Sequence, residues 1–211
     1  MDRTITIGGV EFNVKLSLMI IVSTIVPMLD AYRHRLFEYV AYDRFFYYFV
    51  IPMFIILVLF REHPREYGFK LGNWREGILW TVGVWLVIGT ILWFFARTPA
   101  MREYYELRAP DNVGLIIWLT SVELFAWEFI WRGFLLFGFA RYLGAGPAIF
   151  LQAVPFAFMH LGKPEIETLS TIFGGAGFGF VAWRTQSFVY PWLIHWFMVA
   201  FTMIIAAGFL G

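Results

Sequence analysis

From Val113 to Phe139 the chain runs for 27 residues with only three ionisable side chains, Glu123, Glu128 and Arg132. A helix needs about 20 apolar residues to cross a hydrocarbon core about 30 Å thick, so this run is long enough to span a bilayer. Further apolar runs lie at Leu16 to Leu29, Phe45 to Phe60, Ile78 to Phe95, Pro147 to His160, Leu169 to Trp183 and Val189 to Leu210. In chain order the first, second, fifth and sixth are short unless flanking residues extend them. Composition leaves no other solvent. With 60% of 211 residues hydrophobic and 15% charged, a soluble domain of this size could not bury its apolar surface. The expected fold is all-α, a polytopic transmembrane helical bundle of about seven helices (six to eight), forming a single integral-membrane domain over residues 1–211.

Several function classes fall away. A net charge of +1 offers no field for a polyanion, so nucleic acid is not an expected partner. The chain has no Cys, which excludes disulfides, thiolate metal sites and a cysteine nucleophile. Asp2 and Glu11 stand where the basic region of a signal peptide would be. The connector REHPREYGFKLGNWREG (61–77) holds Arg61, Arg65, Lys70 and Arg75, four of 16 basic residues, and the positive-inside tendency places it on the cytoplasmic side. Trp74, Trp80, Tyr104 and Tyr105 sit near predicted helix ends and read as interfacial anchors. Gly175 and Gly179 are four apart in TIFGGAGFGF, the small-xxx-small spacing that lets two helix backbones approach closely.

The polar residues within the apolar runs carry the functional signal. An ionisable group at the bilayer centre costs about 2.5–3.5 kcal/mol on insertion scales, so it needs a partner or a purpose. Glu128 and Arg132 are spaced i, i+4, about 40° apart around an α-helix, and can pair. Alone, that pair is equally an element of bundle stability. His160 closes one later run (FAFMH) and His195 lies within the last (WLIHWFMVAF), whereas His34 and His63 fall in polar loops. Imidazole and carboxylate both accept a proton from water near neutral pH, and both ligate zinc. Three helices each supplying one such group make a buried pocket. After His160 the stretch HLGKPEIET adds Lys163, Glu165 and Glu167, with Pro164 breaking the helix. Glu165 reads as a residue of a solvated turn, while Glu167 stands open between turn and site.

A Glu followed four residues on by Arg-Gly, then FxxxH, then a His in the last helix, resembles the CPBP intramembrane proteases, the family of CAAX prenyl endopeptidases, bacteriocin-processing and abortive-infection proteins. The resemblance covers about residues 113–205. Of the family's EExxxR motif this chain keeps Glu128 and Arg132, with Trp127 at the first Glu. FxxxH is intact as Phe156 and His160. In HxxxN/D, His195 is followed by Val199 at the fourth place. The resemblance implies an intramembrane endopeptidase in a prokaryotic cell (inner) membrane, acting on a membrane-associated peptide: a prenylated C-terminal peptide, a leader peptide or a C-terminal sorting tag. It implies that Glu128 and His160 polarise a water, that His195 holds the oxyanion and that Arg132 holds Glu128. Glu123, Glu167 and Thr202 are candidate substitutes for the missing groups. No cofactor is favoured. A zinc ion on Glu128, His160 and His195 is the minority option. Trp127 and Val199 keep a second reading open, a membrane scaffold that retains the fold without the chemistry. A proton or lipid carrier using the same polar core is a third, and the two halves show none of the symmetry it would bring.

Overall fold

The computed structural model describes residues 4–32 and 35–210; Asp2 and His34 lie outside the described residues. A hairpin opens the chain. Strand β1 (Thr4–Ile7) pairs antiparallel with β2 (Val10–Asn13), Ile7 opposite Val10. The two-residue turn is Gly8–Gly9 with φ of 59° and 82°, the left-handed pair that a tight hairpin of native twist requires. No apolar run announces it, because its side chains are mostly exposed.

Eight helices follow among the described residues. They are α1 (Val14–Ala31), α2 (Val40–Phe60), α3 (Trp74–Phe95), α4 (Pro99–Glu106), α5 (Val113–Leu143), α6 (Ala145–Phe158), α7 (Glu165–Thr185) and α8 (Val189–Ala206). Seven coincide with the apolar runs. The eighth, α4, is short and amphipathic, with Pro99 at its first turn. Starts follow side-chain chemistry: Asn13, Asn73 and Asn112 each accept a hydrogen bond from the backbone amide three residues on, capping α1, α3 and α5. Flanking residues extend α1 and α2 past their apolar runs to 18 and 21 residues. Five helices, α1, α2, α3, α5 and α8, are long and apolar enough to cross a membrane, and the protein is an integral multi-pass membrane protein.

Two features position the site. At 31 residues, α5 is about 46 Å long, and its hydrogen bonding widens to a π-helix over Phe129–Leu135, beginning one residue after Glu128. Such widenings re-aim side chains and recur at functional sites. Second, α6 lies tightly against α7. A Cβ at Gly175 would stand 2.9 Å from a ring carbon of Phe156 and 3.1 Å from the Ala153 Cβ, and one at Gly179 would stand 2.7 Å from Gln152 Nε2. The glycine spacing read from sequence is thus a helix contact, and it brings the α7 backbone against α6.

Candidate active site

Glu128 and Arg132 on α5 are both fully buried. Arg132 donates from one terminal nitrogen to Glu128 Oε1 at 3.0 Å and from the other to the Gly175 carbonyl of α7 at 3.4 Å. Its guanidinium lies 3.9 Å above the Phe156 ring, so α6 closes the third side. Gln152 of α6, also fully buried, donates to the same Gly175 carbonyl at 3.0 Å. The charge pair is therefore held by contacts from two other helices.

From α8, His195 brings Nδ1 to 2.6 Å from Glu128 Oε1. One carboxylate oxygen thus receives both Arg132 and His195, across 67 residues of sequence. In the tautomer that matches an ionised carboxylate, His195 Nδ1 donates to Glu128 Oε1 and Nε2 is left to accept. His160 sits in the turn after α6, with Nδ1 2.8 Å from the Phe156 carbonyl, which fixes that ring in the same tautomer. The turn itself is tied down by Thr168, whose hydroxyl donates to the His160 carbonyl at 2.8 Å. Both imidazoles flank Phe156, at ring separations of 4.6 and 6.0 Å.

The remaining candidates go elsewhere. Glu123 pairs with Arg44 of α2, which also reaches Asp30 at 3.1 Å. Glu167 accepts from the Tyr105 hydroxyl at 2.8 Å and from Lys163 at 2.7 Å. Burial opposes the charge on Lys163, but Tyr105 and Glu167 outweigh it and hold the ammonium above its usual range. Glu167 and His195 nevertheless line one cavity of about 310 Å³ together with Val199 and Thr202. The Thr202 hydroxyl donates back to its own helix, at the Met198 carbonyl. Tyr105, read from sequence as an interfacial anchor, is buried and bonded to Glu167 instead; its place on the short α4 turns it inward.

At the two departures from the motif, Trp127 is buried among Tyr48, Trp131, Phe156 and His160, with the Arg44 guanidinium 5.4 Å above its ring. Val199 adds an apolar wall to the cavity. The buried side-chain atoms without a partner among the described residues all belong to this region: Trp127 Nε1, Glu128 Oε2, Trp131 Nε1, Arg132 Nε and Gln152 Oε1. Orphaned buried polar atoms are rare, and where they cluster water or a ligand supplies the missing bonds.

No group of three or more His, Asp or Glu among the described residues converges on a metal position.

Residues 108–201 match the family described as Type II CAAX prenyl endopeptidase Rce1-like. The Rce1-like stretch contains α5 from its start through most of α8, and with it Glu128, Arg132, His160 and His195. It bears out the resemblance to the CPBP proteases, and at family level it is a match to a CAAX-type membrane protease. No curated protein and no solved structure matches the chain. Asp30, Arg44 and Tyr48 lie outside the Rce1-like stretch. Sequence reasoning passed over Asp30 and Arg44 because they stand at the ends of apolar runs, where charge is ordinary, and over Tyr48 because it is one of several aromatic residues within a run. Gln152 was legible by the test applied to Glu128, as a polar residue within an apolar run.

Proposed function

We propose that this chain is an intramembrane endopeptidase that hydrolyses a peptide bond near the C-terminus of a membrane-associated, prenylated substrate, with Glu128 and His195 acting as a unit. The observation that carries this reading is the single Glu128 oxygen shared by Arg132 and His195, beside a second oxygen that is buried and unpartnered. Arg132 holds the carboxylate. Glu128 in turn orients His195 and supports the imidazolium that forms when Nε2 takes a proton from water, the logic of a base oriented by a third group. The resulting hydroxide attacks the peptide carbonyl, and the imidazolium returns the proton to the leaving amine.

This differs from the role that the family resemblance implies for His195. With Nδ1–H given to Glu128, a neutral His195 cannot donate to an oxyanion. His160, fixed in the same tautomer, presents a second acceptor to the water. The unpartnered indole N–H groups of Trp127 and Trp131 are donors only, the kind of group that could replace the missing oxyanion donor.

The test compares peptide termini in membranes of cells carrying the wild type or Glu128→Gln, at matched protein levels. Termini found only with the wild type are expected, and they name the substrate. Identical termini, with the biological effect retained by the mutant, would overturn the proposal in favour of the scaffold reading, for which Trp127 and Val199 are the observations.

A further inference from the structure

A second cavity, of about 480 Å³, adjoins the one that holds His195, and the two share Tyr105 and Val199 as lining residues. Its wall is polar and carries seven charged side chains: Arg35, Arg44, Arg108 and Lys163 against Asp30, Asp43 and Glu123. Every acid is already committed. Asp30 accepts from Arg44 and, at 2.8 Å, from the Tyr48 hydroxyl, and Glu123 accepts from Arg44. Asp43 accepts from the backbone amides of Leu36 and Phe37 at 2.8 and 3.1 Å. Of the cations, Arg44 is held by Asp30 and Glu123, and Lys163 by Glu167.

That leaves two guanidinium groups without a carboxylate partner among the described residues. Arg108 touches only its own neighbourhood, donating to the Tyr104 carbonyl and lying 3.8 Å above the Tyr104 ring. Arg35 has no such contact. Saturated acids and two open guanidinium forks, both on exposed residues, give the mouth of this cavity the chemistry of an anion site, and a planar carboxylate is one of the ligands that a guanidinium fork matches bidentately.

We infer that this cavity binds the free C-terminal carboxylate of the peptide being cleaved, through Arg35 and Arg108. The inference rests on the proteolytic reading and narrows its substrate. Val199, at the junction of the cavities, is one helical turn from His195, about 6 Å along α8. That distance equals about two residues of extended peptide. A substrate whose carbonyl lies at His195 therefore reaches the junction with its second residue beyond the scissile bond, and a carboxylate placed past that point lies in the arginine-lined cavity. A short C-terminal peptide fits this arrangement. A leader peptide cleaved from the front of a long chain has no carboxylate to offer there. Arg35 lies outside the Rce1-like stretch, so the connector between α1 and α2 supplies part of the specificity.

The experiment uses two prenylated fluorescent peptides identical except for a terminal carboxylate or a terminal amide. Binding by anisotropy and cleavage are both measured, with the full chain in detergent micelles, for the wild type and for Arg35→Gln/Arg108→Gln. The wild type is expected to bind the carboxylate form about tenfold more tightly, the effect of one charge-assisted contact, and the double variant to bind both forms alike. Equal binding of the two forms by the wild type overturns the inference, even if both are cleaved. A preference that persists in the double variant also overturns it. So does a double variant that instead loses thermal stabilisation by anionic phospholipid, since the cavity would then hold a lipid phosphate. A carboxylate preference that the double variant abolishes, with neither peptide cleaved, leaves the anion site standing and breaks the proteolytic reading.

Discussion

Two glutamates on α5, five residues apart, are each paired with an arginine, and they live in opposite surroundings. Glu123 is one-quarter exposed and belongs to a network in which Arg44, Asp30 and Tyr48 satisfy one another. Glu128 is wholly buried; one of its oxygens receives both Arg132 and His195, while the other has no partner. A saturated network has spent its hydrogen-bonding capacity on holding helices together. An unsaturated one keeps an acceptor that no other residue occupies. On the proposed function the first pair serves structure and the second chemistry, although sequence presents both as a carboxylate in an apolar helix.

The sharpest way to break the contrast is Glu128→Gln. A glutamine amide donating to His195 Nδ1 would impose the wrong tautomer, and turnover is expected to fall by about 10⁴, as when the orienting acid of a catalytic triad is amidated. Steady-state kinetics on a prenylated peptide checks this. Glu123→Gln should instead lower the unfolding temperature with a much smaller loss of turnover. Equal kinetic losses at the two positions would erase the distinction drawn between them.

Arg132→Met comes next. It strands a buried carboxylate, and breaking a buried pair typically destabilises by about 3–5 kcal/mol. Thermal unfolding in detergent should show a larger loss than Arg44→Met, whose pair is about 30% exposed and whose acids can turn to water. Gly175→Ala is expected to destabilise by about 1–3 kcal/mol, because its Cβ would stand 2.9 Å from the Phe156 ring and force α6 away from α7. Since the Gly175 carbonyl also receives Arg132 and Gln152, turnover should fall with stability. Unchanged turnover would separate helix packing from the site.

The smallest effect concerns Glu62, in the connector after α2, and extends the comparison to a saturated acid outside the membrane. Partial burial raises its pKa, but hydrogen bonds from Lys15, Tyr67 and Arg141 outweigh this and hold it at about 2. A carboxylate whose folded pKa is depressed stabilises the fold above its unfolded pKa, near 4.5, and that contribution fades as pH falls towards 2. Unfolding midpoints between pH 6 and pH 3 should therefore drop more for the wild type than for Glu62→Gln, which has no such proton to take up.

The sequence by itself determined the solvent and the helices. Seven apolar runs became seven helices at nearly the expected bounds, because hydropathy and Asn caps are local properties. It also determined that Glu128 and Arg132 could pair, since four residues along a helix is a local distance. The hairpin and α4 escaped it, one exposed and the other amphipathic and short, and neither carries a membrane-length signal. Only the tertiary structure decided which carboxylate meets which base. Glu123 took Arg44, 79 residues away, and Glu128 took His195, 67 residues away. Such pairings depend on helix rotation and on how closely glycines let backbones approach. Both arise from packing among helices, and side chains equally apolar in sequence leave them undetermined until the bundle closes.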